Sequence, residues 1–549
     1  LVPASQACRR LVTTNIRTMT HVPEPLYTIG TSPQRAAAVL RDGAEVMANY
    51  VAENTAPGGF PAGGVKVLEY ASPEQVGKAF EGAGVPLSLA EGEEAVSEDK
   101  LIAACKVALQ YSCRTGHELY FNQLCARPDP VALLGDWLAT TAHVNVYTYE
   151  AAPVFSLIEQ ETLAKLARVW LNVRAPNPVP GHDGLFVPGG SIANLYALLV
   201  ARHWKRPEVR EEGVSGGKRL VAFCSDQAHY SYSKSAVVTG LGLKNLVKVK
   251  TDLAGAMEPQ ALRDAITAAL ADGAEPYFVG CTAGTTVIGG YDDFNAVADV
   301  CKEFGLWMHV DGAWGGWAIM SPQTREKYCQ GIERADSLTY DPHKFMGAAV
   351  QCAVFLTRTP HVGLLKDCNH MSAAYLFQPD KNNADLDVGD RTIQCGRRPD
   401  AFKLWLAWKA RGDASWARQA ERAEALAEYF EQKMKDPKET RFALALPRGG
   451  CNVCFWVVPG ALRPDGGKFD HTAASPETLA ALGKIAPWIK DKMQRTGDAL
   501  IGFQVVKDLP NCFRIVLASP ERITTASLDA MLDRMGAMAE EAIAASMGG

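Results

Sequence analysis

The stretch 338-LTYDPHKFMGAAVQC-352 holds a single lysine, Lys344, directly after a histidine and otherwise among apolar or small residues. Long charged side chains are seldom buried without a reason. SLTYD (337–341) before it and CAVFLTR (352–358) after it read as short strands, so the lysine falls in their connection. Working outward, RLVAFCS (219–225), NLVKVKT (245–251), PYFVGCT (276–282) and LWMHVD (306–311) are runs of the same kind. Helical patterns lie between several of them, as in MEPQALRDAITAALAD (257–272) and DDFNAVADVCKEF (292–304). Strand–helix alternation predicts an α/β fold with a mostly parallel sheet covered by helices. Ligands of such sheets bind outside the carboxyl ends of the strands. His229, Thr282, Asp311 and Lys344 each stand at or just after such an end.

The 549 residues are 47% hydrophobic and 21% charged, with a net charge of −5. That balance is ordinary for a globular chain and carries no basic footprint for nucleic acid. No uninterrupted apolar run reaches the ~18 residues of a membrane span. The 14 cysteines are mostly scattered singly, which fits reduced thiols rather than a disulfide framework. Cys451 and Cys454 form a CxxC inside an apparent strand, CNVCFWVV, with no second pair at zinc spacing; structural cysteines are expected. Residues 1–23 lack Asp and Glu but carry Arg9, Arg10 and Arg17 among Ser and Thr. Residues 1–25 read either as a disordered terminus or as a targeting segment of the transit-peptide kind. The corresponding locations are the cytoplasm or an organelle.

From about residue 402 the pattern changes. Long helical stretches (AFKLWLAWKARG; SWARQAERAEALAEYFEQKMKD) lead into strands CNVCFWVVP and CFRIVLAS and a final helix. A separate α+β C-terminal domain is expected there. Near the other end, Ser72 with Gln75 three residues on suggests a capping box.

A lysine shielded from water has a lowered pKa, and a neutral amine is a nucleophile toward aldehydes. Pyridoxal 5′-phosphate (PLP) is the common aldehyde cofactor that uses this. Its site also needs an acid for the pyridine nitrogen, a phosphate cradle and a cover for the ring. Asp311 in HVDGAWGGW is the candidate acid. PGGSIANLY (188–196) is a turn opening a helix, whose backbone N–H groups at Gly189, Gly190 and Ser191 suit a phosphate. His229 in DQAHYSYSK suits stacking, and His343 suits the phosphate or the substrate. Each piece alone has a plainer reading, as a helix start or a structural histidine. His309, Asp311 and His343 also sketch a metal triad. That reading leaves Lys344 unexplained and has no recognised ligand spacing, so no metal is expected.

TYDPHKFMG resembles the Schiff-base motif of the group II PLP-dependent amino-acid decarboxylases. HVDGAWGG, QAHYS, PGGSIAN and TAGTT (282–286) resemble its companion motifs. FNQL (121–124), YTYEAAPVF (147–155), AAYLFQPDK (373–381), IQCGRR (393–398), FKLWLAWKARG (402–412) and NVCFWVVP are similar to the glutamate and cysteine sulfinate decarboxylase branch. The resemblance runs from about residue 30 to the end. It implies the fold type I PLP-dependent transferase architecture: a mostly parallel seven-stranded sheet with helices on both faces, an N-terminal segment and a small C-terminal domain. The implied boundaries are 26–140 for a dimerisation segment, 141–403 for the PLP-binding domain and 404–549 for the small domain. It implies a homodimer with shared sites. Lys344 then carries PLP, Asp311 pairs with its ring nitrogen, His229 stacks on the ring, and Thr282 lies near the ring hydroxyl. Gly189, Gly190, Ser191 and His343 hold the phosphate, and Cys395 and Gly396 reach the phosphate of the neighbouring subunit. Gln123 and Arg514 grip substrate carboxylate, since a planar guanidinium matches a carboxylate in two-point fashion.

The implied reaction is α-decarboxylation of a small acidic amino acid. Cys125 is small and Asn145 is glutamate-like, which puts glutamate ahead of cysteine sulfinate and aspartate. One departure stands out. The family's mobile loop carries a tyrosine thought to protonate Cα, but PDKNNADLDVGDR (379–391) has none, and Asn382 and Asn383 occupy its region. Loss of a positioned acid opens an alternative, a decarboxylating aldehyde synthase or a transaminating enzyme.

Overall fold

The computed structural model describes residues 32–55, 65–92, 94–173, 177, 180–378, 380–463 and 465–547. Residues 1–25, expected to be disordered or targeting, lie outside the described residues. The chain forms two compact units. One comprises Ala71–Gln110 with the described part of Leu1–Ala52; the other comprises Glu53–Tyr70 and Tyr111–Gly549. In the first, helix Pro73–Gly82 starts at the anticipated capping box: the Gln75 N–H donates to Ser72 Oγ (3.2 Å) and the Ser72 N–H to Gln75 Oε1 (2.8 Å).

The larger unit carries the strands: β1 (Tyr120–Phe121), β2 (His182–Val187), β3 (Leu220–Ser225), β4 (Leu246–Val249), β5 (Glu275–Thr282), β6 (Trp307–Gly312), β7 (Ser337–Tyr340), β8 (Ala353–Arg358), β9 (Phe442–Leu444), β10 (Asn452–Val457), β11 (Leu500–Val506) and β12 (Leu509–Val516). Seven of them form one sheet in the order β2-β8-β7-β6-β5-β3-β4. All neighbouring pairs are parallel except the two made by β8, which is antiparallel to β2 and β7. The mostly parallel seven-stranded sheet of the implied fold is thus present.

Its strands read as continuous apolar runs because both faces are covered. Side chains alternate between faces. Leu220, Ala222 and Cys224 of β3 pack into one buried cluster with Tyr196, Ala197 and Ala201 of helix Gly190–Lys205. Val221 and Phe223 point the other way. They join Leu262 and Ile266 of helix Pro259–Ala271 and Val297 of helix Phe294–Phe304.

The remaining strands form a second sheet in the order β1-β11-β12-β10-β9. Its Phe455 and Phe513 belong to the same continuous core as Val221 and Phe223. The C-terminal segment therefore packs on the large sheet within one unit, and β1 joins it from the N-terminal side. The two expected helices beyond residue 401 are the halves of Ala401–Lys435, broken at Gly412 (φ 68°, ψ 168°). Cys451 and Cys454 are buried, as structural thiols are. No helix among the described residues is long and apolar enough to cross a membrane.

Candidate active site

The carboxyl ends of β5, β6 and β7 stand side by side. Thr282 pairs with Asp311, and Asp311 with Thr339. The start of helix Gly190–Lys205 and the residues after β3 close over these ends. The cleft between them is lined by Gly189, Gly190, Ser191, Asn194, His229, Thr282, Asp311, His343 and Lys344, with Gly284, Thr286, Ala313, Trp314 and Asp341. Eight of the residues expected at a PLP site meet here, though they span more than 150 positions of sequence.

Lys344 is not in the wholly apolar setting expected. Its side chain is 23% exposed and its ammonium lies 3.1 Å from Asp341 Oδ2. Asp341 sits three residues earlier, inside the motif, and was assigned no role from sequence. His343 is pinned rather than free: its Nδ1 contacts the Cys352 carbonyl (2.6 Å), and its Nε2 lies 3.7 Å from Asp341. His229 Nδ1 accepts the Ser231 N–H (3.2 Å), which leaves the ring proton on Nε2. Burial pushes the His229 pKa down; nearby Lys344 does likewise, while Asp311 and Asp341 oppose them.

Asp311 is 5% exposed and held on both oxygens. Oδ2 accepts from Asn194 Nδ2 (2.8 Å) and Oδ1 from the Ala313 N–H (3.0 Å). His309, drawn above as a possible metal ligand, points away from that use. Its two ring nitrogens face Ser337 Oγ and Asn194 Oδ1. Among the described residues no cluster of His, Cys, Asp or Glu is arranged for a metal ion.

The cleft fits PLP on two observations. Thr282 Oγ1 is buried there without a hydrogen-bond partner, as a hydroxyl awaiting a ligand oxygen would be. A Cβ on Gly190 would lie 2.7 Å from Asp341 Oδ2, so only glycine lets the helix start approach the lysine's acid. The first N–H groups of that helix have no partners within it and suit a phosphate.

None of the four expected substrate residues lines the cleft itself; Arg514 reaches its wall through Thr286. Arg514 on β12 is 8% exposed; it donates to the carbonyls of Thr286 (2.9 Å) and Asn122 (2.6 Å), and its Nε has no partner. No carboxylate among the described residues pairs with it. Cys125 lies near, its thiol pushed up to about 11 by burial, with Tyr120 opposing. The next residue's N–H, that of Ala126, binds the Lys344 carbonyl (2.7 Å). Gln123 is exposed, with Oε1 taking the Tyr120 hydroxyl (3.0 Å).

Asn145 is not brought to the cleft. Its Oδ1 accepts the Arg397 N–H (2.7 Å), a tie between two segments. Cys395 and Gly396, expected at the phosphate of a neighbouring subunit, are exposed.

Sequence reading missed Lys490. Its Nζ donates to Asn122 Oδ1 and to the Ile501 carbonyl (2.6 Å). Burial, aided by Arg514, pushes its pKa down to about 8. It lies in helix Pro476–Thr496, outside every motif quoted above, so no local signal marked it.

The model of the pyridoxal-dependent decarboxylase conserved domain matches residues 84–458. A crystal structure of mouse CSAD in apo form is 35% identical, covering 93% of this chain and 100% of that one, with a TM-score of 0.83. A second mouse CSAD structure gives 35% identity, 93% and 99% coverage and a TM-score of 0.84. Oryza sativa TDC with PLP and tryptamine shares the fold at 22% identity, 94% and 99% coverage and a TM-score of 0.78.

Proposed function

The chain belongs to the pyridoxal-dependent decarboxylases, in the branch of the glutamate and cysteine sulfinate enzymes, and from that premise we propose that it removes the α-carboxyl of a small acidic L-amino acid. The observation that carries the substrate class is a surplus of buried positive charge. Arg514 and Lys490 both bind Asn122, and neither has a carboxylate partner among the described residues. Buried charge without a partner is costly. A substrate with two acidic groups answers two cations; an aromatic amino acid brings one acidic group.

Bound PLP supplies an aldehyde for the amine and a ring that accepts the electron pair released with CO2. The protein's part is positional. Lys344, with Asp341 beside it, would hold the cofactor through its amine. Asp311 holds a proton on the ring nitrogen. His229, neutral because buried, covers the ring without adding charge. Thr282 Oγ1 donates to the ring oxygen. Gly189, Gly190, Ser191 and His343 take the phosphate, and Arg514 takes a carboxylate. The small Cys125 leaves room for a longer side chain. Glutamate is therefore placed ahead of cysteine sulfinate and aspartate, though one methylene is worth only ~1–3 kcal/mol.

A second reading, release of aldehyde, is favoured by one observation: residues 379–391 contain no tyrosine. One experiment tests both. The PLP-loaded protein is given glutamate, cysteine sulfinate, cysteate, aspartate and an aromatic amino acid in parallel, and CO2, amine and aldehyde are quantified. Equimolar CO2 and amine from an acidic substrate supports the first reading. Aldehyde in place of amine establishes the second, and turnover of the aromatic substrate alone removes the charge argument.

A further inference from the structure

Behind Asp311 runs a chain of hydrogen bonds whose direction is set from its far end. Trp307 Nε1–H is a donor only, and it donates to Ser337 Oγ (2.8 Å). The Ser337 proton is then free for His309 Nδ1, also at 2.8 Å. Burial pushes the His309 imidazole down to about 4, so at neutral pH it carries one proton. With Nδ1 accepting, that proton is on Nε2 and faces Asn194 Oδ1 (3.1 Å). Thr339 Oγ1 donates to the same oxygen (2.8 Å). The Asn194 amide thereby turns its two N–H groups toward Ser231 Oγ (2.9 Å) and Asp311 Oδ2 (2.8 Å).

The alternatives are worse. The other His309 tautomer sets two acceptors, Nε2 and Asn194 Oδ1, against each other, with the single proton of Thr339 Oγ1, 3.2 Å from Nε2, to serve both. It also takes the Nδ1 acceptor away from the Ser337 hydroxyl proton. A flipped Asn194 amide aims its oxygen at a carboxylate. Asn194 is 1% exposed and His309, Ser337 and Thr339 are 0% exposed, so water relieves none of these conflicts. An unpaired polar group is most costly in such a site.

We propose that Asn194 and His309 are positioning residues for Asp311: the directed chain Trp307–Ser337–His309–Asn194 locks its carboxylate in one orientation toward the cleft, where it keeps the cofactor's ring nitrogen protonated. The inference rests on the reading of Asp311 as the partner of that nitrogen. His309 acts only through Asn194, since it does not line the cleft.

The test uses the whole enzyme with PLP added back to apoprotein. The readouts are the PLP dissociation constant, the visible band of the bound cofactor, and kcat and KM separately. Asn194→Ala is expected to weaken PLP binding about ten-fold or more, the size of effect seen for groups that orient metal ligands. It should also shift the band, and lower kcat with little change in KM. His309→Phe, close in size but unable to donate, should move the same readouts in the same direction. His309→Gln keeps an N–H near the place of Nε2 and should recover most of the loss. Parent-like PLP affinity and band in Asn194→Ala overturn the proposal, and this variant decides the matter if His309→Phe does not fold. Asp311→Asn separates the two levels. If it leaves band and affinity unchanged, the reading of Asp311 fails; if it changes them while Asn194→Ala does not, only the positioning role fails.

Discussion

At Lys344 an amine and an acid sit 3.1 Å apart, and the acid, Asp341, is itself 2% exposed. The lysine is therefore held before any ligand arrives. Lys344→Ala should abolish both the visible absorbance of bound PLP and turnover; an absorbing, active variant would overturn the site. Lys490 makes a pH-dependent statement at the same scale. Its folded pKa of about 8 lies below the ordinary lysine value, so it loses its charge as pH rises through 8. KM for the acidic substrate should rise from pH 7 to 9 with kcat little changed, because a group that binds substrate and transition state alike affects KM. Lys490→Met should raise KM at pH 7 and flatten that rise. The stability sign is opposite. Between about pH 8 and the unfolded lysine pKa near 10.4, the unfolded chain binds more protons. This group's contribution to stability therefore grows with pH across that window, as chemical denaturation at pH 7, 8 and 9 would show.

At the scale of elements, the start of helix Gly190–Lys205 passes close against the acid of Lys344. Gly190→Ala places a methyl group 2.7 Å from Asp341 Oδ2. PLP affinity should fall by at least ten-fold while the helix persists, read by reconstitution titration and circular dichroism. Arg397 and Glu159 form a buried pair, each side chain 3% exposed. Arg397 also donates to the carbonyls of Val146 (2.8 Å) and Phe186 (3.1 Å). Arg397→Met should cost about 3–5 kcal/mol in denaturant unfolding, because it strands a buried carboxylate. The paired change with Glu159→Leu should recover much of that loss. The strands that carry the site were legible because doubly covered strands are uniformly apolar. Strand β2 (HDGLFV) was not singled out; its polar start and internal glycine hide a short run. Helix Pro476–Thr496, which carries Lys490, was passed over too: Pro487 interrupts its pattern.

At the scale of the whole molecule, apolar residues remain uncovered at helical spacing. Leu134 and Leu138 are 52% and 48% exposed, one turn apart on helix Pro130–Ala142. Val154 and Leu157 are 61% and 44% exposed on helix Pro153–Trp170. A second copy of the chain is the expected cover, in keeping with the homodimer implied by the sequence resemblance and with the exposure of Cys395 and Gly396. Sedimentation should show a dimer, and Leu138→Glu should shift it toward monomer and lower PLP retention. A Leu138→Glu protein that sediments and retains PLP like the parent would place the interface elsewhere.

The strand–helix alternation of the central sheet from β3 to β8 and the motifs at the strand ends were determined by sequence alone, because apolar period and motif chemistry are local properties. Lys344, Asp311 and Thr282 were singled out there too; that the Thr282 hydroxyl is buried without a partner came from the structure. Tertiary structure alone decided which groups stand behind them. Asn194 meets Asp311 across 117 positions and Lys490 meets Asn122 across 368. It also tied the Asn145 side-chain carbonyl oxygen to the Arg397 N–H, across 252 positions. Such pairings follow from strand order and register, and a side chain's neighbours across a sheet leave no periodic mark in the sequence that supplies them.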